Sequence, residues 1–250
     1  MKNFYTFKNL SQQQNIIHFI TQKETNSPYS FSLALHTNEN PFDIISNRDY
    51  FTKKFPNMNF VVANQTHSDN IHIVTEGKTK GWNSLDTAIE NCDALITNQT
   101  NIMLTILTAD CVPILLFDKK QKVIASIHAG WRGTEQKIVI KTVKKMQEIF
   151  NSNPKDIIAG VAPSIGKCCY EVDWAVTKHF KDIKGAYEER GDKQMLDLPH
   201  INRMQLLDAG LNKQNIESSN VCTACEVQNY FSYREEKGCS GRFMSMIALK

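Results

Sequence analysis

From Ile102 to Phe117 the chain is almost continuously apolar, IMLTILTADCVPILLF, with none of the alternation that marks a strand with one wet face. Such a run predicts a strand buried on both sides. Pro113 cannot donate to a ladder, so it should end the strand or place it at an edge. Asp110 is the greater anomaly, because a carboxylate in a dry interior is costly unless it is paired, protonated or beside a cation. Either Thr108–Ala109–Asp110 turns out to water, as aspartate favours, or Asp110 has a partner.

Shorter apolar segments, Phe60–Val62 and Ile71–Val74, predict two strands around a polar loop, Asn64–Asn70, that puts His67 near strand ends. Lys119–Lys122 makes a charged turn, and Val123–Ile127 returns as a hairpin partner of the long run with His128 at its end. Val139, Val143, Met146 and Phe150 step by 4, 3 and 4, which predicts a helix with Thr134 as its N-cap and Asn153–Pro154 as its stop. Beyond it come a strand at Ile157–Val161, a turn at APSIG and a helix from Glu171 to about Ile183. A second helix should run from Pro199 to Ala209, with Asp197 near its start and Gly210 at its stop, before a last strand at Phe243–Leu249. Mixed strands and helices without regular βαβ alternation predict an α+β fold with layered sheets.

Composition refines this picture in three ways. The 250 residues are 41% hydrophobic and 22% charged, enough for a sizeable core in an ordinary globular chain. A formal charge of +3, with no Lys/Arg block interleaved with aromatics, gives no reason to expect a nucleic-acid partner. MKNFYTFKNL lacks the pattern of a signal peptide and no apolar segment is long enough to span a bilayer, so the expectation is a cytoplasmic protein without a membrane partner. Seven cysteines cannot all pair within one chain, and in a reducing compartment they are thiols, metal ligands or nucleophiles.

Three residues stand at comparable places: His67 in its loop, Cys111 inside the apolar run and His128 at the end of the neighbouring strand. Two imidazoles and a thiolate suit zinc, and three protein ligands with a fourth position open is the catalytic form of such a site. Their spacing follows neither CxxC nor HExxH, and a lone histidine at a strand end is more often a hydrogen-bonded structural residue. The segments NQTHSDNIHIV, CDALITN, LTADCVPILLFD, IASIHAGWRGT, APSIGKCCYEV and NYFSYREEKGCSGRF add what spacing lacks. In this order they closely resemble the family variously called YfiH-like, laccase-domain or multicopper polyphenol oxidoreductase, purine nucleoside phosphorylase or peptidoglycan editing factor proteins.

The resemblance implies one domain over residues 1–250, a layered sandwich of mixed β-sheets flanked by helices, with zinc held by His67, Cys111 and His128. It further implies phosphorolysis of adenosine, inosine and methylthioadenosine, and deamination of adenosine, by a monomer or weak homo-oligomer. On this reading Asp110 accepts a hydrogen bond from His67 or His128 and orients it. Arg48, Arg132 and Arg242 are candidates to hold phosphate, Arg132 and Gly133 being placed just before a helix whose positive end favours anions. His36 and Tyr233 are candidates to line the pocket, with Arg234 beside the latter, and Asp93, Asp110 and Glu171 are candidates for proton transfer. Ser32–Leu33–Ala34 and Lys167 depart from the family pattern, leaving the three ligands untouched.

Cys168 and Cys169 begin the helix expected after APSIG and read as packing thiols; Cys222 and Cys225 form a CxxC with no second CxxC to complete a site. Cys92 and Cys239 read as structural or incidental. Three other functions use the same residues. A metal-free cysteine hydrolase would take Cys111 as nucleophile and His128 or His67 as base, and a hydrolase of peptidoglycan-precursor editing could use either that pair or the zinc site. A laccase-like oxidase would put copper at the zinc site, although the chain has seven histidines and no HxH. A zinc-stabilised binding module would need a fourth protein ligand.

Overall fold

The computed structural model describes residues 2–238 and 240–250. Among them, a five-stranded sheet runs in the order Phe4–Tyr5, Ile16–Thr21, Phe243–Leu249, Ile102–Thr108, Asn59–Val62. A six-stranded sheet runs Ile216–Ser218, Ile157–Val161, Val112–Asp118, Val123–Ala129, Ala94–Thr97, Ile71–Ile73, and a small third sheet joins Glu171–Val172, Lys193–Leu196 and Tyr187–Arg190. Both large sheets are mixed: Asn59–Val62 lies parallel to Ile102–Thr108, whereas Phe243–Leu249 lies antiparallel to it. The fold is α+β. No helix among the described residues is long and apolar enough to cross a membrane.

Alternate residues of each strand explain the stacking. Ile20, Leu104 and Ile247 of the five-stranded sheet pack on Leu95, Leu115, Phe117 and Ile124 of the six-stranded one. On its far face the six-stranded sheet turns Val112, Ile114, Leu116 and Ile127 toward Val139, Val143 and Met146 of the helix Ile138–Phe150 and toward Ile201 and Leu206 of the helix Leu198–Asp208. The far face of the five-stranded sheet is covered by Trp82 and by Phe51 of the helix Pro41–Lys54, which opens with Asn40 accepting from the backbone N–H of Phe42 at 3.0 Å. Both sheets are thus covered on both faces, so their strands are apolar without alternation.

The long run is therefore two strands. It pairs in the five-stranded sheet up to Thr108, turns at Asp110 with a left-handed φ of 87°, and starts again at Val112 in the six-stranded sheet. Both pieces are buried on both faces, which is why the hydrophobic pattern does not register the crossing. Pro113 neither ends a strand nor sits at an edge. It is the second residue of an interior strand, opposite His128, and its carbonyl accepts from the N–H of Ala162 at 2.9 Å. Near the first residue of a strand, the ladder tolerates the missing N–H.

Two helices differ from expectation. Thr134 is not an N-cap: it lies inside a short helix, Trp131–Glu135, and the chain turns left-handed at Lys137 (φ 61°) before Ile138–Phe150 begins. Its buried hydroxyl accepts from Nδ2 of Asn202 at 3.0 Å. The helix expected from Glu171 to Ile183 is reduced to Trp174–Thr177 and one 3-10 turn, because Glu171 and Val172 are drawn into pairing with Met195 and Gln194. The helix Leu198–Asp208 is capped by Asp197, which accepts from the N–H of His200 at 3.0 Å, and the chain leaves it through left-handed Gly210.

Close approach of the N-terminal segment requires a glycine at 160, where a Cβ would stand 2.4 Å from the ring of the fully buried Phe7. Gly160→Ala is expected to destabilise the protein by about 1–3 kcal/mol through overpacking. Urea unfolding measures it, and an unchanged midpoint would contradict this packing.

Candidate metal centre

The site lies where the chain crosses between the sheets. The left-handed residue Asp110 places Cys111 just ahead of Val112–Asp118, and His128 projects from the adjacent strand Val123–Ala129. His67 comes from the loop between Asn59–Val62 and Ile71–Ile73 and is itself left-handed, at φ 60°. The ligand atoms of the three all lie within 4.8 Å of one another, and Cys111 Sγ is 3.8 Å from His67 Nε2. The two imidazoles meet edge to face, with ring centres 4.8 Å apart. Room for this comes from Gly130: a Cβ there would come within 2.8 Å of His67 Cδ2 and 3.2 Å of Cys111 Sγ.

Asp93 organises the centre. Its fully buried carboxylate accepts from the backbone N–H groups of Thr66 (3.2 Å), His67 (3.1 Å) and Ser68 (2.7 Å) and from the Ser68 hydroxyl (2.6 Å). It also accepts from His128 Nδ1 at 2.7 Å. An ionised carboxylate can only accept, so Nδ1 carries a proton and Nε2 is the nitrogen turned toward Cys111. Burial works against ionisation of Asp93, but the His128 imidazole and the Ser68 donors outweigh it and hold the group at about 2. Burial likewise opposes the Cys111 thiolate, yet His128 and His67 bring it down to about 6. His128 is raised to about 9 by Cys111 and Asp93 against the effect of burial. Two imidazoles and a thiolate-forming cysteine at these separations match the roughly 3.5 Å spacing of nitrogen and sulfur ligands around one zinc ion.

Asp110 has partners, as its burial requires, but they are not the histidines. It is buried, so its carboxylate is not in water, and its oxygens are engaged away from the histidines: Oδ1 accepts from the Thr223 hydroxyl and Oδ2 from the N–H of Arg234, both at 2.7 Å. The role expected of it, orienting a histidine, falls to Asp93. Asp110 instead holds the C-terminal loop over the site, while its carbonyl accepts from Ile165 N–H at 2.9 Å.

A cavity of about 550 Å³ opens above the three residues, with His36, Gln65, Tyr170, Tyr233, Arg132, Arg234 and Arg242 in its walls. Burial, with Arg242 and Arg48 nearby, lowers His36 to about 4, which leaves it neutral at pH 7. Burial also keeps Tyr170 a phenol. Arg132 is exposed over the ring of Trp131 at 4.5 Å, and Arg242 lies 5.7 Å from that of Tyr233. The helix at Arg132 has only five residues, so no helix dipole of useful length supports an anion there.

Arg48 is not a pocket residue. It is fully buried, its Nε and Nη2 donate to the Leu33 carbonyl and its Nη1 to those of Gly81 and Trp82, so its charge fastens core loops. Glu171 lies outside the cavity and pairs with Lys193 at 2.9 Å. Gln65 and Tyr170 also line the cavity; both stand in the segments that carry the family likeness, but nothing in the sequence pattern marks them as pocket residues. Gln65 clamps the end of Ile102–Thr108 by exchanging two hydrogen bonds with the backbone of Leu107, at 2.8 and 2.9 Å. Cys92 is buried, Cys239 lies outside the described residues, and Cys168, Cys169, Cys222 and Cys225 form a second cluster.

The family model described as multi-copper polyphenol oxidoreductase laccase matches residues 17–250. The chain belongs to this laccase-domain family. It is 34% identical over 229 residues to purine nucleoside phosphorylase YlmD of Bacillus subtilis, covering 88% of this chain and 82% of that protein. It is 31% identical to a purine nucleoside phosphorylase of Bacteroides thetaiotaomicron, covering 99% and 97%. Two crystal structures share the laccase-domain fold: YlmD from Geobacillus stearothermophilus, with a TM-score of 0.90 at 30% identity over 95% of this chain and 93% of that one, and hypothetical protein YfiH from Bacillus licheniformis, with 0.88 at 33% over 94% and 93%.

Asp93 carries two measurable consequences. Its folded carboxyl titrates at about 2, below the ~3.9 of an unfolded aspartate, so its stabilisation of the metal-free protein is complete above pH ~4 and fades as pH falls toward 2. Asp93→Asn should remove that acid-sensitive component and weaken the affinity of the three candidate ligands for a divalent metal about 10- to 100-fold. Competition titration with a chelator reads the second effect, and an unaltered affinity would contradict the anchoring role.

Proposed function

We propose that the protein is a zinc-dependent purine nucleoside phosphorylase that also deaminates adenosine. The observation that carries this reading is the convergence of His67, Cys111 and His128 under a cavity of about 550 Å³ whose walls hold three guanidinium groups and two phenols. The size is that of a small-molecule site. The names of the Bacillus subtilis and Bacteroides thetaiotaomicron relatives supply the reaction.

Phosphorolysis joins a phosphate oxygen to C1′ of the nucleoside as the C1′–N9 bond breaks, its electron pair leaving with the base, which takes up a proton. Three tasks follow for the protein. Arg132 and Arg242 hold phosphate, their guanidinium groups offering paired donors to its oxygens. Tyr170 and Tyr233 present ring faces to the purine, and Tyr170, kept protonated, donates to a base nitrogen. Neutral His36 exchanges hydrogen bonds with sugar hydroxyls. His67, Cys111 and His128 would hold the zinc, which as a Lewis acid polarises a substrate oxygen or acidifies water, the requirement for deamination. Copper would fit the same ligands, but two imidazoles at one centre fall short of a multicopper cluster.

A second reading is favoured by one observation, the lowered Cys111 thiol 3.8 Å from His67 Nε2: a metal-free cysteine hydrolase acting on another substrate. Chromatography of products separates the two. Zinc-loaded protein should convert adenosine to adenine and ribose 1-phosphate only with phosphate, and to inosine without it, with Cys111→Ala inactive in both. Unchanged adenosine in every case would overturn the proposal. Arg132→Ala should raise the Michaelis constant for phosphate about tenfold, the loss of one charge-assisted contact at an exposed position. An unaltered constant would remove Arg132 from the phosphate site.

A further inference from the structure

The CxxC at Cys222 and Cys225 has the partners that its spacing does not reveal. Cys168 and Cys169, more than fifty positions earlier, approach it so that all four Sγ atoms lie within 4.8 Å of one another. Cys225 Sγ is 3.6 Å from that of Cys168 and 3.5 Å from that of Cys169. A disulfide would bring one pair to about 2.05 Å, and here Cys225 is shared almost evenly between two neighbours. Four sulfurs at about 2.3 Å from a central zinc ion stand roughly 3.8 Å apart, close to the separations seen.

The surrounding backbone is built to hold this arrangement. Ser164 N–H donates to the Val221 carbonyl at 3.3 Å, and Thr223 N–H to that of Ser164 at 3.1 Å, so the two segments are laced together at the cluster. Gly166 N–H donates to Cys222 Sγ at 3.3 Å, a contact that favours a thiolate as a ligand. A Cβ at Gly166 would already touch Cys168 Sγ and Cys222 Cβ, each at 3.4 Å.

We propose that Cys168, Cys169, Cys222 and Cys225 form a second, structural zinc site, distinct from the centre at His67, Cys111 and His128. Four thiolates close the coordination shell, leaving no position for substrate. Its role follows from what it joins. The chain between Ile216–Ser218 and Phe243–Leu249 has no helix or strand among its described residues, yet it delivers Tyr233 and Arg234 to the cavity. The other segment delivers Tyr170. A zinc staple fixes both walls relative to each other.

The test is metal content of the full chain, purified under reducing conditions and loaded with zinc. Wild type should carry about two zinc ions per chain and Cys111→Ala about one. X-ray absorption of Cys111→Ala should then show four sulfur neighbours at about 2.3 Å. Replacing Cys222 and Cys225 by serine should leave about one zinc, with mixed nitrogen and sulfur neighbours. Cys111→Ala protein without zinc, or with zinc bound to nitrogen or oxygen, overturns the proposal, as does a disulfide between any two of the four found by mass spectrometry of the purified reduced chain. Because Cys111→Ala leaves the cluster intact, it decides the matter even if the double serine variant does not fold. A loss of nucleoside chemistry without loss of this zinc would bear on the proposed function alone.

Discussion

The buried carboxylate of Asp93 is the interaction on which the rest of the site depends. An ionised group with no exposed surface is tolerable only if its lone pairs are filled, and here three backbone N–H groups, the hydroxyls of Ser68 and, more distantly, Thr66, and one imidazole fill them. The same bonds shape a loop and orient a ring. Residues 66–68 wrap the carboxylate, which sets the left-handed turn at His67, while the bond to Nδ1 fixes the tautomer of His128. Removing one donor would leave the charge underpaid elsewhere, so loop, ring and carboxylate behave as one unit.

A second carboxylate completes the frame. Asp110 stands at the point where the chain leaves one sheet and enters the other, and its side chain and carbonyl collect Thr223, Arg234 and Ile165 from two loops distant in sequence. Cys111 follows immediately, so its position is set by the crossing itself. Gly130, facing it, supplies the space that any side chain would occupy. The walls of the cavity therefore descend from the same two aspartates that hold its floor.

Much of this architecture is visible in the chain and some is not, for physical reasons. Burial of residues 102–117 on both faces is readable from their composition, but the change of sheet is not, since both pieces meet identical surroundings. The helix at Leu198–Asp208 announces itself through Asp197 and Gly210, whereas the one expected at Glu171 yields to strand pairing that only the tertiary fold supplies. His67, Cys111 and His128 stand out through the segments around them, and the structure brings them together. Arg48 shows the limit of a matched segment, which identifies a residue without revealing that its guanidinium points into the core. Asp93 takes the part expected of Asp110 because spacing along the chain does not say which carboxylate a ring will meet. The four-cysteine cluster stayed hidden for the same reason, its halves being joined by an isolated bridge between Ser164 and Cys222.

The central claim is that the Asp93-ordered triad is a metal centre. An anomalous difference map from crystals of zinc-loaded protein, recorded on both sides of the zinc absorption edge, tests it most directly. A peak is expected between His67 Nε2, Cys111 Sγ and His128 Nε2, with no fourth protein ligand. A map without density there, while His128 still donates to Asp93, would contradict it and leave Cys111 and His67 as a metal-free pair.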